Sequence, residues 1–380
     1  MRPISVYIHI PFCIKKCKYC DFVSFPIVKQ DVAAYFDALI KTALPRAAKL
    51  LTSKHRIVET IYIGGGTPTA VPQAHLAELL TSSVNALPIS RDVEVTVEMN
   101  PGTADASYIS KILACGGRRI SIGVQSFNDR SLRFLGRIHN ARQARNCFEN
   151  VRAAGCRNIN IDLIYGTPGE SLDDVMHSVD TAISLAPEHI SVYGLSIPEG
   201  TALHKRLRAG EFTLPSPDQQ RKVYETIRDT LRAAGYIQYE VSNYAKPGLE
   251  CRHNLNYWRR GEYIGLGCAA SSYLDGVRSR NVNSIAEYVE RMANGASVVC
   301  QSERLSKEER VEEAVMLGLR LREGISLSQL LRDEGIRLLQ TRRNQIQKLA
   351  TAKLVNIEND FLRLTDDGVL VADEVIAWLT

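Results

Sequence analysis

Segments with the pattern of β-strands alternate with segments of helical periodicity through the first two-thirds of the chain, and this alternation constrains the fold most. The strand-like segments are 4–10, 57–63, 93–99, 118–124, 157–164 and 189–195. The helical segments between them are 29–52, 72–86, 103–115, 128–154 and 171–186. Strands that alternate with helices predict a parallel sheet with helices packed outside it. Six such units fit either a partial (β/α) barrel or an open doubly wound sheet.

Glycines and polar residues stand where these strands end. A Gly-Gly-Gly-Thr-Pro-Thr run occupies 64–69, and Glu98, Gln125 and Asp162 lie at or near the ends of three later strands. In a parallel barrel all these ends lie on one rim, where active sites are built from the loops after the strands. The placement therefore favours the barrel over the open sheet, and it predicts one cavity lined by six separate segments.

The pattern changes after about residue 240. Residues 241–300 are mixed, and the segments after them are predicted as helix, helix, helix, hairpin and helix at 306–322, 326–333, 339–352, 354–364 and 366–379. This order resembles a winged-helix module. We therefore predict an α/β protein with three parts: a partial (β/α)6 barrel of the TIM type at 1–240, a connecting segment at 241–300 and a C-terminal α+β winged-helix-like domain at 301–380.

Charge and composition narrow the partners and the location. Residues 306–380 contain 11 Lys+Arg and 13 Asp+Glu, a balance of 11 − 13 = −2. A DNA-binding module needs a basic face, so we expect no nucleic-acid partner. No apolar run reaches the roughly 18 residues of a membrane span, which leaves only peripheral contact with a membrane open. Nine cysteines without a secretory signal predict a reducing, cytoplasmic location and metal use rather than disulfides.

Three cysteines near the N-terminus, Cys13, Cys17 and Cys20, are spaced C-x3-C-x2-C. Three soft thiolates within eight residues favour an iron–sulfur cluster or a thiophilic metal. Closed metal sites usually have four protein ligands, so a cluster held by three cysteines keeps one iron open for another molecule. The alternatives are a zinc site completed by His9 or Asp21, and cysteines without a common function.

The cysteine spacing followed by an aromatic residue resembles the radical S-adenosylmethionine (SAM) superfamily. Its members bind a [4Fe-4S] cluster through this triplet, and SAM chelates the fourth iron. The flanking Tyr-Ile-His-Ile-Pro-Phe at 7–12 and Asp21-Phe22 are similar to the oxygen-independent coproporphyrinogen oxidase (HemN) group, and within it to the haem chaperone branch called HemW. The resemblance covers nearly the whole chain.

The resemblance also implies a set of SAM-binding residues, each in a matching local context: Tyr7, Gly65, Gly66, Thr67, Glu98, Gln125, Arg137 and Asp162. In the family, the Gly-Gly-Gly-Thr-Pro run contacts the methionine amino end of SAM. An arginine can pair with the SAM carboxylate, and acidic and amide side chains offer acceptors for ribose hydroxyls or the ammonium group. Any one of them alone could be a capping residue or a solvated residue on the rim.

Two departures separate the chain from the oxidases of the group. The oxidases usually carry a fourth cysteine, where this chain has Phe22, and an N-terminal extension, whereas this chain reaches its first strand by Ile4. The motif H-N-x-x-Y-W, which begins at His253, resembles the haem-binding signature of the chaperone branch. It implies His253 as the axial haem ligand, with Cys251 as a second contact left open. Without the resemblance, the same residues would read as a core or turn feature.

We therefore expect a haem chaperone that binds a [4Fe-4S] cluster, SAM and haem, and that transfers haem to an acceptor apo-protein. An electron donor is a further partner if SAM is cleaved. The alternative is an oxygen-independent oxidase that decarboxylates two propionates of coproporphyrinogen III. A third interpretation, a non-catalytic winged-helix regulator, is disfavoured by the acidic balance of the C-terminal domain.

Overall fold

The computed structural model describes all 380 residues, which form 17 strands and 17 α-helices. The strands are β1 (Arg2–Ile10), β2 (Phe12–Cys13), β3 (Phe25–Pro26), β4 (Arg56–Gly65), β5 (Ile89–Met99), β6 (Arg119–Gln125), β7 (Ile159–Tyr165), β8 (His189–Gly194), β9 (Ile237–Gln238), β10 (Asn243–Ala245), β11 (Tyr263–Leu266), β12 (Ser271–Leu274), β13 (Val277–Asn281), β14 (Val299–Arg304), β15 (Ile325–Ser326), β16 (Val355–Glu358) and β17 (Phe361–Leu364).

The α-helices are α1 (Val32–Asp37), α2 (Leu44–Ser53), α3 (Gln73–Ala86), α4 (Ala106–Ala114), α5 (Asp129–Leu135), α6 (Ala141–Ala153), α7 (Leu172–Ser184), α8 (Ala202–Arg208), α9 (Pro217–Ala233), α10 (Arg252–Trp258), α11 (Ile285–Ala293), α12 (Lys307–Gly318), α13 (Leu327–Glu334), α14 (Leu338–Thr341), α15 (Arg343–Thr351), α16 (Asp366–Leu370) and α17 (Ala372–Leu379). A π-helical segment, Ala38–Ala43, joins α1 to α2, and Pro68–Ala70 forms a 3-10 turn. None of the helices has the length and apolar character needed to cross a membrane.

The main sheet has twelve strands in the order β14-β13-β12-β11-β1-β4-β5-β6-β7-β8-β10-β9. The six strands predicted from the sequence are β1 and β4 to β8, and they lie side by side, parallel and in chain order. β11 adds a further parallel strand beside β1, and the outer strands on both sides are antiparallel. The parallel arrangement therefore agrees with the prediction, and the antiparallel additions come from residues 237–304.

The two faces of the parallel sheet differ in character, as β1 illustrates. Its alternate residues Ile4, Val6, Ile8 and Ile10 are almost fully buried in the main core of 56 residues. Burial of each such side chain contributes about 1.5–3 kcal/mol relative to exposure. The residues between them face the inside of the barrel, which is lined by buried polar side chains that include Ser5, Thr60, Glu94, Thr96, Arg119, Ser121, Asn160, His189 and Ser191. This polar interior leads up to the carboxyl ends of the strands.

The helical pattern predicted over 128–154 is two helices rather than one. Gly136, at φ 79°, ends α5 in the left-handed conformation, and the side chain of Asn140 begins α6 with a capping box. Glycine adopts this conformation without the steric cost that a Cβ would add. The break allows Arg137 to turn back toward the sheet, where its guanidinium bonds the carbonyl of Gly123 in β6 at 2.7 Å.

Residues 311–379 pack around a second core of 17 buried residues, which includes the three-stranded sheet β15-β17-β16. Ion pairs join this part to the rest of the chain: Arg260 lies 3.2 Å from Glu313 and 3.1 Å from Glu334, both nearly fully buried. The division into 1–240, 241–300 and 301–380 stays a prediction. The strands of 241–300 extend the main sheet.

Candidate functional site

A cavity of about 390 Å³ lies at the carboxyl ends of the parallel strands. Seven of the eight residues predicted to bind SAM line it together with the three cysteines: Gly65, Gly66, Thr67, Glu98, Gln125, Arg137, Asp162, Cys13, Cys17 and Cys20. We call it the rim cavity. Its residues come from β2, β4, β5, β6, β7 and the loops after them, so segments far apart in sequence meet here.

The cysteine loop is held against the glycine run by backbone hydrogen bonds. The N–H of Gly66 donates to the carbonyl of Ile10 at 2.8 Å, and the N–H of Thr67 donates to that of Phe12 at 2.7 Å. A Cβ at Gly66 would lie 2.6 Å from the carbonyl oxygen of Phe12, so only glycine allows this approach. The glycine run therefore positions Cys13, whose thiol lies at the wall of the rim cavity.

The three thiols have different surroundings. Cys13 is buried, while Cys17 and Cys20 are half-buried. Burial raises the pKa of the Cys13 and Cys20 thiols. An Nη atom of Arg137 donates to Sγ of Cys17 at 3.2 Å. Three thiols on one cavity, without a fourth, fit a cluster that keeps one iron open.

His9 is not free to complete a zinc site. Its Nδ1 lies 2.9 Å from the hydroxyl of Tyr7, and its Nε2 lies 2.8 Å from the carbonyl of Val23. Both ring nitrogens are therefore occupied, and the ring ties β1 to the cysteine loop. No three His, Cys, Asp or Glu side chains converge closely enough to hold a single metal ion. The arrangement gives no support to the alternative zinc site.

Glu98 is a half-buried carboxyl group that lines the rim cavity. Tyr62 donates its hydroxyl to Oε1 at 2.7 Å, and the N–H of Gly65 donates to Oε2 at 3.0 Å. Burial raises the pKa of Glu98 to about 6, and these two hydrogen bonds limit the rise. The carboxyl group can therefore change its charge near neutral pH as a ligand enters.

Gln125 and Asp162 line the cavity from β6 and β7, the next two strands after that of Glu98. Asp162 accepts hydrogen bonds from Ser121 at 3.1 Å and from Asn160 at 2.7 Å, and burial raises its pKa. Gln125 has φ 70°, at the end of a strand whose register shifts after Ile122. A positive φ at a non-glycine residue is uncommon and is often found at functional sites.

Arg137 carries a positive charge into the cavity without a carboxylate partner. Its guanidinium donates to Cys17, to the carbonyl of Gly123 and to Oδ1 of Asn100, while its buried Nε has no partner. Such a group fits a ligand with a carboxylate. Asn100 is a residue that the sequence reasoning left out of the SAM set. It also donates to Thr67 at 2.7 Å. Its position two residues after Glu98, at the same strand end, is the sequence feature that could have indicated it.

Two sequence profiles of known protein families match the chain. The sequence profile of the radical SAM superfamily matches residues 7–182, and that of the HemN C-terminal domain matches residues 305–371. A Bacillus subtilis protein named "Heme chaperone HemW" is 36% identical over 98% of this chain and 97% of its own length. Its Mycobacterium tuberculosis counterpart is 37% identical over 100% of this chain and 95% of its own.

This chain belongs to the HemW family of radical SAM proteins. Among solved structures, coproporphyrinogen III oxidase (HemN) from Escherichia coli superposes with a TM-score of 0.84 at 22% identity, over 100% of this chain and 90% of that one. At this identity the likeness shows the fold alone. It confirms the predicted fold class, a radical SAM α/β barrel followed by a C-terminal domain.

Two residues of this HemW-family chain that were predicted to bind a cofactor, Tyr7 and His253, do not line the rim cavity. Tyr7 stands behind the glycine run, where its hydroxyl would be 3.1 Å from a Cβ at Gly65, and it lines a second cavity instead. His253 lies deeper in the barrel, on α10. Their roles toward SAM and haem stay predictions.

The surroundings of His253 are specific. Nδ1 lies 2.6 Å from Oγ1 of Thr60, and Nε2 lies 3.0 Å from the hydroxyl of Tyr257. Its ring packs on Tyr62 with 5.0 Å between centroids, and the hydroxyl of Tyr62 bonds Glu98. The ring of Tyr62 therefore lies between His253 and Glu98. Burial lowers the pKa of His253 to about 3, so the ring is neutral.

The neighbouring residues of the motif point in other directions. Cys251 is fully buried, with its Sγ 3.7 Å from Oε1 of Glu94. Tyr257 and Trp258 line cavities that are also lined by residues of the C-terminal part, such as Leu317 and Arg320. The motif therefore joins the barrel interior to the surface between the barrel and residues 301–380.

Proposed function

We propose that this protein is a cytoplasmic haem chaperone, which binds haem, a [4Fe-4S] cluster and SAM and transfers haem to an acceptor apo-protein. Similarity over nearly the full length to proteins named as haem chaperones supports the proposal. The observation that carries it is the H-N-x-x-Y-W motif on α10, which connects the barrel interior to a cavity beside the cysteine loop.

Cys13, Cys17 and Cys20 would hold the cluster, and the open iron would face the rim cavity. Arg137, which lacks a carboxylate partner, would receive the carboxylate of SAM. Glu98 and Asp162 would accept hydrogen bonds from the ammonium group or the ribose hydroxyls. When bound, the cluster supplies an electron for reductive cleavage of SAM, and this step would need an electron donor as a further partner.

We propose His253 as the axial haem ligand, which requires a rearrangement from the conformation described. Both of its ring nitrogens are hydrogen-bonded, and the hydrogen bond between Nε2 and Tyr257 would have to break before Nε2 could bind iron. Thr60 donates to Ser5 at 2.8 Å, so Nδ1–H of His253 donates to Thr60 and Nε2 keeps its lone pair. The neutral tautomer with a free Nε2 lone pair is the form that ligates haem iron.

The test is an anaerobic haem titration of the reconstituted protein, followed by the Soret absorption. His253→Ala should lose the Soret shift. His189→Ala is the matched control, because His189 is equally buried and bonds Asn160 at 2.6 Å and the hydroxyl of Tyr239 at 2.8 Å. Tyr257→Phe removes the partner of Nε2 and should leave haem affinity equal or higher. An unaltered Soret shift in His253→Ala would exclude the ligand assignment.

The oxidase is the second candidate, because the rim cavity holds two half-buried carboxyl groups and an arginine without a carboxylate partner beside three thiols. Conversion of coproporphyrinogen III in the presence of SAM and a reductant would overturn the chaperone proposal. A protein that binds haem without such turnover, and that passes its haem to an apo-protein on mixing, would support it.

A further inference from the structure

A second cavity, of about 500 Å³, lies between the cysteine loop, strands β11 to β13 and helix α12. We call it the side cavity. Asp21 and Phe22 line both the side cavity and the rim cavity, so this dipeptide forms the partition between them. Phe22 is 63% exposed, so its ring is open to a ligand in either cavity.

The walls of the side cavity suit a flat aromatic ligand. Of the four tyrosines that line it, three belong to α10, β11 and β12, namely Tyr257, Tyr263 and Tyr273, and apolar side chains such as Leu317 lie beside them. The rings of Tyr257 and Tyr263 meet edge to face, 4.7 Å apart at 88°, and form a corner. Tyrosine rings offer large, rigid contact surfaces to a planar ring system. The volume lies within the range of small-molecule sites, roughly 300–1,000 Å³.

The polar wall of the cavity carries an excess of positive charge. Three arginines line it against two carboxylates, Asp21 and Glu313. Arg260 and Arg278 both pair with Glu313. Arg280 lines the same cavity, and its side chain forms no ion pair or hydrogen bond with the protein. An unpaired guanidinium beside aromatic walls is suited to a ligand that carries a carboxylate.

We propose that the side cavity is the haem-binding site, with the porphyrin ring against the three tyrosines and a propionate on Arg280. The inference rests on the proposed haem chaperone function and assigns its site. Tyr257 both lines this cavity and holds Nε2 of His253, so the predicted haem ligand lies one side chain away from it. Phe22, in the cysteine loop, lies between this site and the rim cavity.

The experiment compares haem with haem dimethyl ester, which lacks free propionates, in anaerobic titrations followed by the Soret absorption. Arg280→Ala should weaken binding of haem about tenfold, the effect of one charge-assisted hydrogen bond, and leave binding of the ester unchanged. Arg91→Ala is the matched control, since Arg91 is exposed and lies on β5, away from the cavity. It should bind both ligands as the wild type does.

A second variant fills the cavity. Ser271 is exposed and lines the side cavity, so Ser271→Trp should fold, keep its cluster and its affinity for SAM, and lose haem binding. If the wild type binds haem and Ser271→Trp or Arg280→Ala binds it equally well, the site assignment is overturned and the chaperone proposal stands. If the wild type binds no haem, both the assignment and the chaperone proposal are overturned.

Discussion

The approach of the glycine run to β1 leads to a quantitative prediction for Gly65→Ala. Gly65 has φ 111°, and a Cβ there would lie 2.3 Å from Nδ1 of His9. The backbone conformation alone costs about 1–2 kcal/mol for a residue with a side chain. Forcing the ring of His9 aside adds about 1–3 kcal/mol, in the range of overpacked cores. We expect a total loss of about 2–5 kcal/mol in the free energy of unfolding.

Gly155→Ala separates the two contributions. Gly155 also has a positive φ, 95°, but nothing lies within 4 Å of its Cβ position. Unfolding entropy is roughly 2.1 cal/mol/K per residue, so a unit of roughly 300 residues loses about 1.6 °C of melting temperature per kcal/mol. We therefore expect a fall of about 2–3 °C for Gly155→Ala and of about 3–8 °C for Gly65→Ala, measured by calorimetry.

The displaced ring has a functional consequence. His9 holds the carbonyl of Val23 in the cysteine loop, so Gly65→Ala should also reduce the cluster content after anaerobic reconstitution. The cluster's visible absorption and its iron content measure this. Equal melting temperatures for Gly65→Ala and Gly155→Ala, with full cluster loading in both, would refute the argument from close approach.

Two further predictions concern charge. Because burial raises the pKa of Glu98 to about 6 and SAM is proposed to need the carboxylate, SAM affinity should fall about tenfold per pH unit below that value. Equilibrium dialysis should show no such dependence in Glu98→Gln, and a flat wild-type profile would contradict the assignment. Asp366 accepts two hydrogen bonds from Arg232, at 2.8 and 2.9 Å, which hold its pKa well below the ordinary value. A lowered pKa gives stability that is present above the ordinary value and is lost as the pH falls through the folded one. Asp366→Asn should therefore speed proteolysis of the C-terminal domain at neutral pH but not at low pH, while Asp373→Asn, at an exposed ion pair, should match the wild type.

Much of the fold could be predicted because its signals are local. Hydrophobic alternation indicated all six central strands, and the helices and hairpin of the C-terminal domain follow the predicted order. The helical stretch predicted over 128–154 contains two helices, because helical periodicity continues across the turn at Gly136. The antiparallel strands β12 to β14 were also missed, since short edge strands with exposed residues have little periodic pattern.

Strand order brings several of the predicted site residues together, whereas side-chain packing decides where the others point. Parallel barrel geometry brings Glu98, Gln125 and Asp162 together at one rim. Tyr7 sits on β1, but its ring faces His9 and the side cavity, which depends on side-chain packing rather than on strand order. Asn100 was left out of the predicted SAM-binding residues, because its hydrogen bond to Arg137 joins segments that only the folded chain brings together.

The sequence by itself determined the chemistry that the chain can offer: three thiols in one loop, a glycine run, and acids and amides at successive strand ends. These features are set by residue type and spacing, and they suffice for the family. Tertiary structure alone decided which of these side chains a ligand can reach. It buried His253 between Thr60 and Tyr257, and it opened a second cavity beside Phe22. Access depends on which side chains pack between a residue and solvent, and those neighbours come from distant parts of the chain.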